Sequence, residues 1–335
     1  MGEVEQLVLG WFHAAARELP WRTTPPDPWA VLVSEVMLQQ TPVARVRPVF
    51  EGWLSRWPTP VALAAEPAGA AVRAWGRLGY PRRALRLHAA AGVLVNEHSG
   101  RVPDDVALLR ALPGVGDYTA AAVASFAYGG RHAVLDTNVR RVLARCFEGI
   151  AAPGPSVRVS ERRRAISLLP AEPAAAARWS AAVMEMGALV CTAVAPRCSS
   201  CPLAERCAWR RAGWPASQGA TRRSQAYAGT DRQCRGRLLG ALREAADPVS
   251  GVVLGACWGE RAQRERALEG LVADGLVVAL GGDRYALPGL STSSAGLLVS
   301  AEAVVSGGAV ERAGVTPGAR SPRATPRAAL PSVCR

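Results

Sequence analysis

Apolar residues recur at spacings of three and four over most of the first 190 positions, broken by proline and glycine, and no stretch there alternates strictly between apolar and polar. That period predicts helices over 3–17, 28–40, 42–56, 67–76, 81–97, 104–111, 117–128, 137–147, 157–169 and 173–188. Side chains able to accept a hydrogen bond from a helix's first amides stand at three of these starts: Asp27 before Pro28, Asp104, and Asp136 before Thr137. Gly129-Gly130 marks a stop. The predicted body is all-α.

The pattern changes downstream. Residues 211–229 are polar, basic and glycine-containing, and read as a linker. The helical period returns over 231–246, 250–257 and 261–275, followed by GLVVALGGDRYALP, whose apolar residues alternate about Gly281-Gly282 and predict a hairpin. Three helices and a hairpin over 230–288 predict a small winged-helix-like unit after a body spanning 1–210. Residues 289–335 are rich in Ser, Ala, Gly, Pro and Arg without periodicity, and a disordered tail is expected.

Charge narrows the partner. The 335 residues carry a net charge of +13, and all 40 basic residues are arginine. Such an excess points to a polyanion, of which nucleic acid is the commonest. Without lysine, no side-chain amine is present to form a Schiff base. The residues after Met1 include acids where a signal peptide carries positive charge, and no apolar run reaches membrane-spanning length. A cytoplasmic protein without a membrane partner is expected. In a reducing compartment the stretch CTAVAPRCSSCPLAERC, spaced C-x6-C-x2-C-x5-C from Cys191 to Cys207, reads as a metal-ligand set rather than a disulfide staple. Four thiolates suit zinc or iron–sulfur equally by spacing alone. Cys146, Cys234, Cys257 and Cys334 are scattered and read as packing or surface residues.

Three further motifs carry chemistry. In ALRALPGVGDYTAAAVASFAYG one helix ends and another begins within five residues, and Gly114 and Gly116 let the turn run tight and bare. Its amides, with the second helix's N-terminal dipole, form a site for one phosphate, which is a helix-hairpin-helix signature. In HAVLDTNVRRVLARCF, Asp136 is expected to cap a helix, to stay ionised well below neutrality, and to stabilise a positive charge developing in a cleft. In PPDPWAVLVSEVMLQQTPVARV, Glu35 stands mid-helix among Val31, Leu32 and Leu38. A carboxyl pressed against apolar walls has a raised pKa and can donate a proton near pH 7.

These three segments, in this order and followed by the cysteine cluster, resemble the helix-hairpin-helix DNA glycosylase superfamily, and within it the adenine-specific mismatch glycosylase (MutY) family. The resemblance covers roughly residues 5–210. It implies a two-lobed α fold with DNA across the cleft, and a [4Fe–4S] cluster held by Cys191, Cys198, Cys201 and Cys207 in the loop 191–207, with Arg197, Arg206, Arg210 and Arg211 flanking it. Bifunctional relatives place lysine two residues after the second hairpin glycine, where this chain has Tyr118. That implies a monofunctional enzyme. Gln39, Gln40 and Thr41 resemble the wedge that enters the duplex near a mispair. Tyr80 resembles the family's intercalating tyrosine, although Pro81 and Arg82 depart from the usual aromatic and small residues.

The implied activity is removal of adenine mispaired with 8-oxoguanine or guanine in double-stranded DNA, by a monomer. Glu35 protonates the base, Asp136 stabilises the oxocarbenium ion, Tyr118 and Asn138 orient or shield Asp136 and the sugar, and the product is an abasic site. A thymine or uracil mismatch glycosylase is the alternative within the superfamily. A non-catalytic DNA-binding protein is the alternative outside it, and the pairing of Glu35 with Asp136 argues against it. The resemblance stops before residues 230–288, where adenine glycosylases commonly carry a β-rich Nudix-like domain.

Overall fold

A computed structural model describes residues 2–216 and 227–290 of the chain. The predicted tail beyond Leu290 and residues 217–226 of the predicted linker lie outside the described residues. Two compact units result: Met1–Glu66 with Ala74–Gln225, and Pro67–Arg73 with Ala226–Arg335.

The first unit is helical. It contains α1 (Gly2–Ala15), α2 (Pro28–Leu38), α3 (Val43–Arg56) and the short α4 (Pro60–Ala64). The following α5 (Ala68–Ala74) falls almost wholly in the second unit. The first then resumes with α6 (Arg82–Glu97), α7 (Val106–Ala111), α8 (Asp117–Tyr128), α9 (Thr137–Leu143), α10 (Val159–Ser167), α11 (Pro173–Leu189) and α12 (Ala208–Arg211). Local chemistry explains several of the starts: Asp27 accepts from the Trp29 amide at 2.9 Å ahead of Pro28, and Asp136 accepts from the Val139 amide at 2.6 Å. The cap of α7 is Asp105, which accepts from two amides, rather than the expected Asp104. Helix α4 has no counterpart in the sequence reading, because five residues are too few to show a period; Thr59 caps it and Pro60 opens it. The helix predicted over 137–147 changes at Ala144 into a π-helical turn, Ala144–Glu148, so its last residues face differently from a continued α-helix.

One core of this unit joins α1, α9 and α11 to the cysteine loop through Val8, Val142, Trp179, Val183 and Met186. Elsewhere Trp53 packs edge-on against Trp57 at 4.6 Å and Trp75 at 5.7 Å, all three buried.

In the second unit α13 (Asp231–Glu244), α14 (Gly251–Cys257) and α15 (Arg261–Ala273) precede a hairpin of β2 (Val278–Leu280) and β3 (Arg284–Ala286). A further two-residue strand, β1 (Val249–Ser250), pairs antiparallel with β3, giving the order β1-β3-β2. No alternation could reveal so short a strand. The unit also takes in residues 67–73, unlike a division read along the chain. The Gly69 amide donates to the Pro288 carbonyl at 2.7 Å, Arg73 donates to Ala245 O at 2.8 Å, and Arg243 Nε donates to Val72 O at 2.9 Å. A Cβ at Gly69 would stand 2.6 Å from Pro288 O, so glycine permits that approach.

Candidate active site and cysteine loop

Helix α2 buries every residue from Trp29 to Met37, Glu35 among them at 5% exposure. The carboxyl is thus surrounded by the apolar side chains that made its segment distinctive. Its partner is Tyr118 at the start of α8, whose hydroxyl donates to Glu35 Oε2 at 2.8 Å. Burial raises the Glu35 pKa from 4.5 to about 7; the phenol and Arg22 oppose the shift, and Asp136 adds to it. Burial also raises Tyr118 well above its ordinary 10, with Glu35 and Asp136 adding, so the phenol stays protonated and remains the donor. Tyr118 therefore contacts the acid, whereas the sequence placed it beside Asp136.

Asp136 caps α9 through Oδ1, and Asn138 Nδ2 donates to Oδ2 at 2.7 Å. Burial raises its pKa too, against the lowering effect of the Val139 and Asn138 donors and of Arg141. Desolvation thus works against the cap bonds that the sequence alone suggests. Asn138 is held in turn by Arg141, which donates to Asn138 Oδ1 at 2.9 Å, Gly187 O at 2.7 Å and Cys191 O at 2.7 Å. Gly187 allows α11 to close on this point, since a Cβ there would lie 2.7 Å from that of Asn138.

Glu35, Tyr118, Asp136 and Asn138 line one cleft of about 1280 Å³ together with Gln39, Gln40 and Thr41. Small-molecule pockets span roughly 300–1,000 Å³, so a base with part of its backbone has room. The sequence reading missed a charged group in this cleft: Glu185 of α11, 1% exposed, accepts from Arg17 at 2.6 and 2.9 Å and from Arg22 at 2.9 Å. Its burial would raise the pKa, but the two guanidiniums overcome that and hold it at about 2. No local motif links positions 17, 22 and 185.

Tyr80, Gly114 and Gly116 do not line the cleft. Gly114 has φ +83°, and a Cβ would meet that of Arg86 at 2.8 Å, so the hairpin turn requires it. Gly116 instead has ordinary extended backbone as the cap of α8 and open space where its Cβ would be. Beside it Asp117 pairs with Arg110 at 2.9 Å and Arg162 at 3.2 Å, an acid at a turn read as anion-binding.

The four predicted thiols share a small cavity next to α12. Cys191, Cys198, Cys201 and Cys207 line it, and so does Cys146, which the sequence had assigned only to packing and which hydrogen-bonds Cys207. Arg145 donates to Cys191 Sγ at 3.5 Å and to Thr192 O at 2.7 Å, and lies 4.5 Å over the Trp209 ring. Among the described residues, no three Cys, His, Asp or Glu side chains stand in a ready metal-ligand arrangement. The donor set still fits a thiolate-held cluster: four thiols around one cavity, with a buried guanidinium to offset thiolate charge.

Residues 33–164 match the model of the HhH-GPD superfamily of base excision DNA repair proteins. The adenine DNA glycosylase of Mycobacterium tuberculosis is 52% identical over 283 residues, 84% of this chain and 92% of that relative. The chain belongs to the adenine DNA glycosylase family. The adenine DNA glycosylase of Mycolicibacterium smegmatis is 50% identical over 84% of this chain and 95% of its own length. Among solved structures, a thermostable thymine-DNA glycosylase aligns with a TM-score of 0.55 and 26% identity, over 62% of this chain and 95% of that one. The alignments with the two mycobacterial relatives reach into the second unit, since 283 aligned residues exceed the length of the first.

Proposed function

We propose that this member of the adenine DNA glycosylase family removes adenine mispaired with guanine or 8-oxoguanine in duplex DNA and leaves an abasic site. The observation that carries the reading is the pair of buried carboxyls in one cleft, with Glu35 poised at about 7 and Asp136 anchored by a backbone amide and an amide side chain. Two carboxyls in different environments suit an acid and an anion. Glu35 donates its proton to N7 of a flipped adenine, the C1′–N9 bond breaks with its electron pair leaving on the base, and Asp136 stabilises the oxocarbenium ion. Water then adds at C1′ and gives its extra proton to the Glu35 carboxylate, which restores the acid. Tyr118 orients Glu35, and Asn138 orients Asp136. With no lysine in the chain, the lysine-based route to strand cleavage is closed. Unstacking is least costly at a mispair, which favours the damaged site over matched DNA.

Cys191, Cys198, Cys201 and Cys207 would hold a [4Fe–4S] cluster, whose contribution is to tie together the loop from 191 to 207. Phosphate contacts belong to the first unit, where the hairpin amides and an excess of arginine occur: 25 arginines against 17 carboxylates over residues 1–216. Residues 227–290 carry eight arginines against eight carboxylates, and Arg235, Arg261 and Arg266 are paired with Asp274, Glu265 and Asp231. The winged-helix-like order of that unit is therefore not matched by a basic surface.

The likeness to a thymine-DNA glycosylase keeps one second reading in view. Excision assays on duplexes carrying A·8-oxoguanine, A·G, T·G and U·G separate the two. Release of adenine from the first two is expected; release of thymine or uracil with adenine left intact would overturn the assignment.

A further inference from the structure

Four described non-glycine residues of the first unit lie in left-handed backbone, where such side chains are strained; besides Ser99 and Trp214 they are, in two separate turns, Gln40 at φ 55° and Tyr80 at φ 45°. Both side chains are exposed, Tyr80 at 55%. A large aromatic left more than half in solvent on a strained backbone gains little from folding, which points to a use outside the fold.

One side chain holds both turns. Arg83, at the start of α6 and only 6% exposed, donates Nη1 to the carbonyls of Val36 at 2.8 Å, Met37 at 3.0 Å and Gln39 at 2.6 Å. Its Nη2 donates to Thr41 Oγ1 at 2.9 Å and to Gly79 O at 3.1 Å. The planar guanidinium thus closes the C-terminal end of α2 and grips the chain on either side of Gln40 and immediately before Tyr80. Its face lies 5.2 Å from the Trp75 ring and 5.7 Å from the Tyr80 ring. All five acceptors are neutral oxygens. Burial lowers the Arg83 pKa to about 10, which leaves it charged at neutral pH. A lysine could not span this set, because an ammonium offers three donors from one atom and no flat face.

We propose that Arg83 is a positioning residue that locks the Gln39–Thr41 turn and the Gly79–Tyr80 turn into one rigid pair, so that Gln40 and Tyr80 enter the DNA base stack together and hold it open while adenine occupies the cleft. The inference rests on the proposed function, because the two tips matter only if a base leaves the duplex. Gln39 links the pair to the cleft wall through Nε2, 3.3 Å from Thr119 Oγ1 beside Tyr118.

The test uses the full-length protein with Arg83→Lys, Gln40→Ala/Tyr80→Ala and the triple variant. Single-turnover adenine release from an A·G duplex at saturating protein should fall on the order of 10²-fold in Arg83→Lys, the loss that a misplacement of about 1 Å can cause. Added to the double alanine variant, Arg83→Lys should cost less than about 3-fold more, because residues acting through one another are not additive. A full second loss in the triple variant would overturn the proposal, as would an unimpaired Arg83→Lys enzyme. In a Glu35→Gln background, a duplex with 2-aminopurine replacing adenine should still be bound, but its fluorescence rise on unstacking should be lost with Arg83→Lys. A retained rise would count against the proposal equally. If Arg83→Lys does not fold, Thr41→Val removes one acceptor and is read in the same cycle, with an expected loss of about 10-fold, one charged hydrogen bond's worth. A wild-type enzyme that releases no adenine from A·G would instead sink the proposed function.

Discussion

Two glutamates are buried in the same cleft and end at opposite extremes. Glu35 is 5% exposed and Glu185 is 1% exposed, yet one is pushed up to about 7 and the other held at about 2. Burial acts in the same direction on both. The difference lies in the partners: a neutral phenol and a nearby aspartate for Glu35, two guanidiniums for Glu185. Depth alone therefore does not make a proton donor. A buried carboxyl rises toward neutrality where its hydrogen-bond partner is a neutral phenol, even with Arg22 nearby, and becomes a structural anchor where two guanidiniums hydrogen-bond it.

The comparison breaks most sharply at Glu35. Glu35→Gln keeps the size of the side chain and removes the acid, so single-turnover adenine excision should fall by about 10²–10⁴-fold with mispair binding retained. The same variant has a stability signature. A carboxyl whose folded pKa is raised favours the folded state below its ordinary 4.5, and that contribution is lost as pH rises through about 7. Thermal melts should therefore show Glu35→Gln gaining on the wild type between pH 5 and 8; a constant difference across that range would mean that Glu35 is ionised throughout.

Glu185→Gln should act on folding instead. It leaves Arg17 and Arg22 facing a neutral amide, and the cost is expected at about 2–3 kcal/mol, below the usual 3–5 for a buried pair because both arginines are partly solvated. The sign with pH is opposite to that of Glu35. The contribution of Glu185 is complete above 4.5 and is lost as pH falls toward about 2, so the gap between variant and wild type should close in acid. Denaturant melts at pH 7 and pH 3 would check both halves, and a gap that widened in acid would contradict the ion-pair assignment.

The smallest effect sharpens the role of the phenol. The Tyr118 hydrogen bond lowers the Glu35 pKa, so Tyr118→Phe should raise it further and move the alkaline limb of the excision rate upward by less than about one pH unit. A limb that moved downward would mean that the phenol stabilises the neutral acid.

Much of the active cleft was legible because its signals are local. An apolar run around one glutamate says that the helix is buried on all sides, and an aspartate ahead of a helix says that it caps; Glu35 and Asp136 could be picked out on those grounds. The hairpin glycines were legible as a pair but not as individuals, since only Gly114 is demanded by its backbone, while Gly116 stands in ordinary extended conformation. Asp105 took the cap expected of Asp104, the usual ambiguity where two acids adjoin. The direction of the Asp136 shift was not legible, because cap bonds are a property of sequence neighbours and desolvation is a property of everything else.

By itself, the amino-acid sequence determined the helical period, the caps, the four closely spaced thiols, the absence of lysine and the apolar setting of Glu35, all of which depend on residues within one or two turns of each other. Only the tertiary structure decided which charges meet. Arg17 and Arg22 reach Glu185 across more than 160 positions, Arg83 joins two turns about 40 residues apart, Cys146 comes to the wall of the thiol cavity, and residues 67–73 bond to Arg243, Ala245 and Pro288 of the second unit. The physical reason is range. Hydrogen-bonded turns and caps are fixed by neighbours along the chain, whereas the protonation of a buried acid and the grip of a buried guanidinium are set by whatever the packed core places within about 3 Å, the reach of a hydrogen bond.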